Sequence, residues 1–219
     1  MFKQILKFIK RTALFNILRN FRQRRRDNKQ HQAWLNSDKM SSPPHIVKQM
    51  VVKEYANRYN IRVFVETGTF LGDMVYGVQD TFDQIYSVEL GDELYERCKR
   101  RFSRQKHISI LKGDSANVLP DILTDIKAPC LFWLDGHYSA GITAKGEKET
   151  PILEELQPIF NHPIDSHVIL IDDARAFTGQ KGYPTIKALQ DLVLARCPNS
   201  IFKVKKDIIR IHHEYSSNG

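Results

Sequence analysis

The chain has 219 residues, 42% hydrophobic and 26% charged, the make-up of a globular protein of one or two domains with a sizeable core. Its net charge of +8 is unevenly spread: residues 1–40 hold 11 of the 33 Lys/Arg but only 2 of the 25 Asp/Glu, so the head is basic and the body nearly neutral. Three widely spaced cysteines (Cys98, Cys130, Cys197) without a C-x-x-C pair are expected as buried free thiols, which excludes a disulfide framework and fits a reducing compartment.

The first segment, MFKQILKFIKRTALFNILRNFRQRRRD, has no acid before Asp27. Phe2, Ile5, Leu6 and Ile9 share one helical face, with Lys3, Lys7 and Lys10 opposite. From Leu14 to Phe21 the apolar stripe continues but rotates, so one straight amphipathic helix fits imperfectly. The longest uncharged run, Thr12 to Leu18, falls far short of the ~20 apolar residues that span a bilayer. No small-residue cleavage site follows it, as a signal peptide would need. A peripheral anchor on an anionic membrane surface through residues 1–26 suits the pattern best. An organelle transit peptide, a nucleic-acid arm built on RQRRR and a solvated basic helix are the alternatives. SSPP at 41–44 marks a boundary between an N-terminal segment, 1–40, and a body, 41–219. The expected location is the cytoplasm, at the inner membrane surface if the head anchors there.

From Pro44 on, strand and helix patterns alternate. HIVKQMVVKEYANRYN has helical spacing, IRVFVETG is a β-branched run closed by glycine, FLGDMVYGVQDT is helical and QIYSVEL is a strand. GDELYERCKRRFSRQ is a charged amphipathic helix, HISILKGDS a strand and ANVLPDILTDI a helix. CLFWLDG is a strand, PILEELQPIF a helix with Pro151 in its first turn, HVILIDD a strand and PTIKALQDLVLARC the last helix. SIFKVKKDIIRIHH predicts an antiparallel hairpin around Lys-Asp. The fold class expected is α/β: a Rossmann-like, doubly wound, mostly parallel seven-stranded sheet with a C-terminal antiparallel hairpin.

In such a sheet ligands collect beyond the carboxyl ends of the strands. Every strand expected to be parallel ends in an acid: Glu66, Glu89, Asp114, Asp135 and Asp172-Asp173. Five strand-end acids in succession would repel one another unless a ligand or cation used them. Between the first strand and its helix stands Glu66-x-Gly68-x-x-x-Gly72, where Gly68 permits a tight turn and close backbone approach. It lacks the Gly-x-Gly-x-x-Gly of a pyrophosphate binder, and Glu66 suits a cationic ligand or an amino group. Glu89, seventeen residues after Gly72, is placed to accept hydrogen bonds from a ribose diol, and Asp114 in Gly-Asp-Ser to meet an adenine amino group.

These motifs, in order over roughly residues 45–213, resemble the class I S-adenosylmethionine-dependent methyltransferases. The resemblance implies that Glu66 and Gly68, with Gly72 in the same turn, line the methionine moiety, Glu89 the ribose, and Asp114 with Ser115 the adenine. Asp135 and the Asp172-Asp173 pair are similar to the acids of metal-dependent sugar O-methyltransferases of the macrocin type. That likeness implies Asp135, Asp172 and Asp173 around Mg²⁺ or another divalent cation. It also implies a base two residues beyond Asp135, where this chain carries His137 rather than an acid. Histidine titrates near neutrality, as removal of a hydroxyl proton requires. The bland readings are a capping acid pair and a turn histidine. Residues 138–150 suit a mobile lid, and Arg175 with Lys181 an opposite wall of the acceptor site.

The function expected is therefore S-adenosylmethionine-dependent O-methylation of a sugar or glycan with metal assistance. A nucleotide-binding oxidoreductase on a Rossmann scaffold and a non-catalytic, membrane-tethered cofactor-binding module are the rivals. No Asn/Asp-Pro-Pro-Tyr-type motif is present and the body is neutral, so no nucleic-acid partner is expected.

Overall fold

A computed structural model describes residues 29–30, 32–34, 42–136 and 150–214. Met1–Val47 and Lys48–Gly219 are two compact units. The proposed anchor, residues 1–26, lies outside the described residues, as do His137, Tyr138 and nearly all of the expected lid. No helix among the described residues is long and apolar enough to cross a membrane.

Among the described residues from 45 onward, six helices and seven strands follow one another as expected. They are α1 (His45–Arg58), β1 (Val63–Thr67), α2 (Asp73–Val78), β2 (Gln84–Glu89), α3 (Asp92–Arg101), β3 (Ile108–Lys112) and α4 (Ser115–Asp125). Then come β4 (Cys130–Leu134), α5 (Ile152–Phe160), β5 (Val168–Ile171), a 3₁₀ turn (Ala174–Ala176), α6 (Ile186–Arg196), β6 (Ile201–Lys205) and β7 (Ile208–His212). The 3₁₀ turn has no counterpart in the sequence pattern. Pro151 sits at the N-cap of α5, one residue before the expected first turn.

The sheet runs β3-β2-β1-β4-β5-β7-β6. All pairs from β3 to β5 are parallel, and β7 is antiparallel to both β5 and β6. The central strands β4 (CLFWL) and β5 (VILI) are buried at every position, as strands covered on both faces must be. The two-residue period of a strand splits their side chains between two cores. Leu131, Trp133, Val168 and Leu170 face a cluster holding Val51, Val52 and Tyr55 of α1, Met74, Val75 and Val78 of α2, and Cys98 of α3. Phe132, Leu134, Ile169 and Ile171 face the other, with Leu119, Ile122 and Leu123 of α4, Leu156 and Ile159 of α5, and Leu189 and Val193 of α6. The hairpin turns at Lys206-Asp207, both with positive φ (53° and 58°), the backbone that a tight two-residue hairpin demands. All three cysteines are free, but only Cys98 and Cys130 are buried; Cys197, just past the end of α6, is partly exposed. Burial pushes the Cys98 and Cys130 thiols up to about 11 and about 12, so both stay protonated at neutral pH.

Candidate active site

The register sets the site. Thr67 pairs with Val88 on one side and Leu134 on the other, and Leu134 pairs with Ile171. The next residue on each strand therefore lies on one line at the carboxyl edge: Glu89, Gly68, Asp135 and Asp172. Backbone bonds continue the ladder there, from Gly68 N to Val88 O (3.0 Å), Asp135 N to Thr67 O (3.2 Å) and Asp172 N to Leu134 O (3.1 Å).

On the expected cofactor side, Gly68 is held at φ 82°, and a Cβ there would stand 2.5 Å from the Asp135 carbonyl oxygen. Only glycine lets strands one and four close up at this point. Gly72, also left-handed, caps α2 where a side chain would strike the Phe102 ring at 2.7 Å. Glu89 is buried, and its carboxylate accepts from the Phe70 (2.7 Å) and Gly91 (2.8 Å) amides, which fixes it at the edge. Asp114 caps α4 by accepting from Ala116 N (3.0 Å). Glu66 lies deeper, 2% exposed, and accepts from Ser87 Oγ (2.5 Å), which in turn is 2.6 Å from Thr69 Oγ1. Burial raises its carboxyl well above the ordinary range, against that hydrogen bond, and Asp135, Glu89 and Asp73 add repulsion.

Ser115 turns inward, donating to Glu155 Oε1 at 2.5 Å. Glu155 of α5 is 1% exposed, and no motif in the sequence marks it. Burial pushes its carboxyl up to about 7, against hydrogen bonds from Ser115 and Thr67, with Asp114 and Asp135 adding to the rise. Gly136 rests on this group: a Cβ there would meet Glu155 Oε1 at 2.7 Å, Thr67 Oγ1 at 3.2 Å and Ser115 Oγ at 3.3 Å. The glycine after Asp135 is thus required by a buried carboxyl beneath the turn.

On the expected chemistry side, Lys48 of α1 forms a buried ion pair with Asp172 Oδ2 and lies 3.9 Å from Asp173 Oδ1. The other Asp172 oxygen accepts from the Asp173 amide (2.8 Å). Arg175 pairs with Asp173 (2.9 Å) and with Asp207 of the hairpin turn, so it braces the end of strand five. Lys181 is exposed. Burial and the nearby Asp135 raise Asp172 to about 7 in spite of Lys48. Burial alone would lower Lys48, but Asp172, Asp135 and Asp173 outweigh it and keep it charged.

S-adenosylmethionine fits this set of acceptors. The carboxylates of Glu89 and Asp135 stand on either side of the Gly68 turn, matching a ligand with a sulfonium, an ammonium, a diol and an exocyclic amine. A divalent ion fits less well. Asp172 and Asp173 already hold Lys48 and Arg175, and among the described residues no group of three His, Cys, Asp or Glu is arranged to hold a metal.

No family model matches this sequence, and no curated protein is detectably similar to it. Solved structures share its fold. The O-methyltransferase TomG from Streptomyces achromogenes, involved in tomaymycin synthesis and bound to SAM, superposes with a TM-score of 0.57 at 14% identity, over 86% of this chain and 88% of that one. An O-methyltransferase from Bacillus cereus with SAH gives 0.56 at 11% identity (86% and 89% covered). The SAH-bound methyltransferase PaMTH1 from Podospora anserina gives 0.54 at 15% identity (86% of each). Residue for residue the chain is remote from all three; what it shares with them is the Rossmann-like methyltransferase fold, with its mostly parallel sheet and closing hairpin.

Proposed function

We propose that this protein is an S-adenosylmethionine-dependent O-methyltransferase, with a sugar or glycan hydroxyl as the methyl acceptor. The observation that carries the reading is the line of Glu89, Gly68, Asp135 and Asp172 along one edge of a methyltransferase sheet. The cofactor supplies an electrophilic methyl group on a sulfonium. Glu89 would hold the ribose diol, the Gly68 turn with Glu66 behind it the methionine end, and Asp114 with Ser115 the adenine. Asp135 carries the chain into His137, to which we assign the removal of the acceptor proton. The likeness of Asp135 and Asp172-Asp173 in the sequence to the acids of sugar-modifying enzymes supports a polyhydroxyl acceptor, although here the acid pair meets Lys48 and Arg175. Residues 1–26, basic and amphipathic, would hold the enzyme against an anionic membrane.

Calorimetry tests the first step. S-adenosylmethionine should bind, and Glu89→Ala should weaken it by about 1–3 kcal/mol, the scale of lost charge-assisted hydrogen bonds. Tight dinucleotide binding with no response to S-adenosylmethionine would sink the proposal. Transfer of a labelled methyl group to candidate glycans then tests the acceptor, with His137→Ala expected to cut turnover ~100-fold or more.

A further inference from the structure

Three aspartates meet at the ends of β4 and β5, and the sequence alone makes them a metal site. The folded chain puts its own cation there. Lys48 lies in the first turn of α1, i−3, i−4 and i−7 from the buried Val51, Val52 and Tyr55, so the helix's apolar face carries the lysine with it into the body. The residue is 8% exposed. Its ammonium contacts Asp172 Oδ2, reaches Asp173 Oδ1 at 3.9 Å and lies in the field of Asp135. The remaining Asp172 oxygen is taken by a backbone amide and Asp173 is shared with Arg175. A divalent ion binding here would have to displace the ammonium and strip carboxylate oxygens of existing partners. An ammonium left beside that ion would repel it.

We propose that the Lys48 ammonium is the resident cation of the Asp135, Asp172 and Asp173 edge, standing in place of a divalent ion, so that this chain works without metal. A fixed ammonium balances the acid pair, but it brings no bound water and no open coordination position. The acceptor is then oriented by hydrogen bonds and by the Lys48–Asp172 pair itself. The part of this proposal that concerns turnover rests on the methyltransferase reading above; the part that concerns metal binding does not.

The test uses the full chain. Mn²⁺ titrated into the wild type and followed by the paramagnetic signal of the free ion should show no binding below about 1 mM, and Mg²⁺ should leave the melting temperature unchanged. Lys48→Met leaves the buried acids without their partner, so it should lower the melting temperature by at least about 5 °C. Mg²⁺ or Mn²⁺ should restore part of that loss in the variant alone. Lys48→Arg keeps a charge and should stay indifferent to metal, which preserves the comparison if Lys48→Met does not fold. Micromolar Mn²⁺ binding by the wild type, abolished in Asp172→Asn, would overturn the proposal, and so would a Lys48→Met protein that melts like the wild type. If methyl transfer is found, excess chelator should change it less than two-fold, and dependence on metal would likewise overturn the proposal. If no acceptor is methylated while the binding and melting results come out as expected, the methyltransferase reading fails and the Lys48 assignment stands.

Discussion

Glu155 shows what one buried carboxyl demands of its neighbours. It lies under the turn that carries Asp135 and Gly136, takes the Ser115 hydroxyl at 2.5 Å and is denied water. Burial lifts it to about 7, from an ordinary value of 4.5, so between these pH values the folded chain holds a proton that the unfolded chain has released. Stability from this group is then fully present below about pH 4.5 and lost as the pH rises toward 7. Glu155→Gln keeps the shape and removes the titration. The variant should match the wild type near pH 4.5 and gain on it as pH rises, by on the order of 3 kcal/mol above pH 7. Denaturant midpoints measured from pH 4.5 to 8.5 check this; a constant difference across the series would contradict it. Lys48 and Glu155 both escape a reading by periodicity for the same reason. Each is a charged residue on the apolar stripe of its helix, Lys48 with Val51 and Val52, Glu155 with Ile152 and Ile159. That intrusion was visible in the sequence, but a periodicity argument discounts single exceptions.

At the scale of elements, strands and helices appeared where their periods placed them, because each carries its own signal in five to fifteen residues. The hairpin was legible from two short apolar runs around Lys206-Asp207. Its second role was not. The Asp207 side chain accepts from the Arg175 amide (2.8 Å) and pairs with the Arg175 guanidinium, and the Asp207 carbonyl accepts from Ala174 N (2.9 Å). The turn thereby pins the segment after β5. Both turn residues pay for a left-handed backbone that asparagine tolerates better than lysine. Lys206→Asn should therefore stabilise the protein by about 0.5–1 kcal/mol, read as a higher melting temperature. Asp207→Asn tests the other function, since it keeps the turn preference and discards the charge that holds Arg175.

For the whole molecule, the division between basic head and neutral body is a property of the charge along the sequence, and both core clusters lie within the second compact unit, Lys48–Gly219. If residues 1–26 are an anchor, the full chain should bind anionic vesicles, and less so as salt rises from about 50 to 500 mM. A chain beginning at Ser41 retains every residue of both clusters and should fold without binding vesicles. Equal vesicle binding by both chains would remove the anchor. The sequence by itself determined the order of strands and helices, the antiparallel ending and the presence of an acid at each parallel strand end. Those are local patterns, set by side-chain periodicity and by where a run stops. Only the tertiary structure decided what those acids meet. Sheet register lined up Glu89, Gly68, Asp135 and Asp172, and helix packing sent Lys48 across 124 positions of chain to Asp172 and Glu155 across 40 to Ser115. Charge compensation acts through space, between residues whose separation along the chain has no period to betray it.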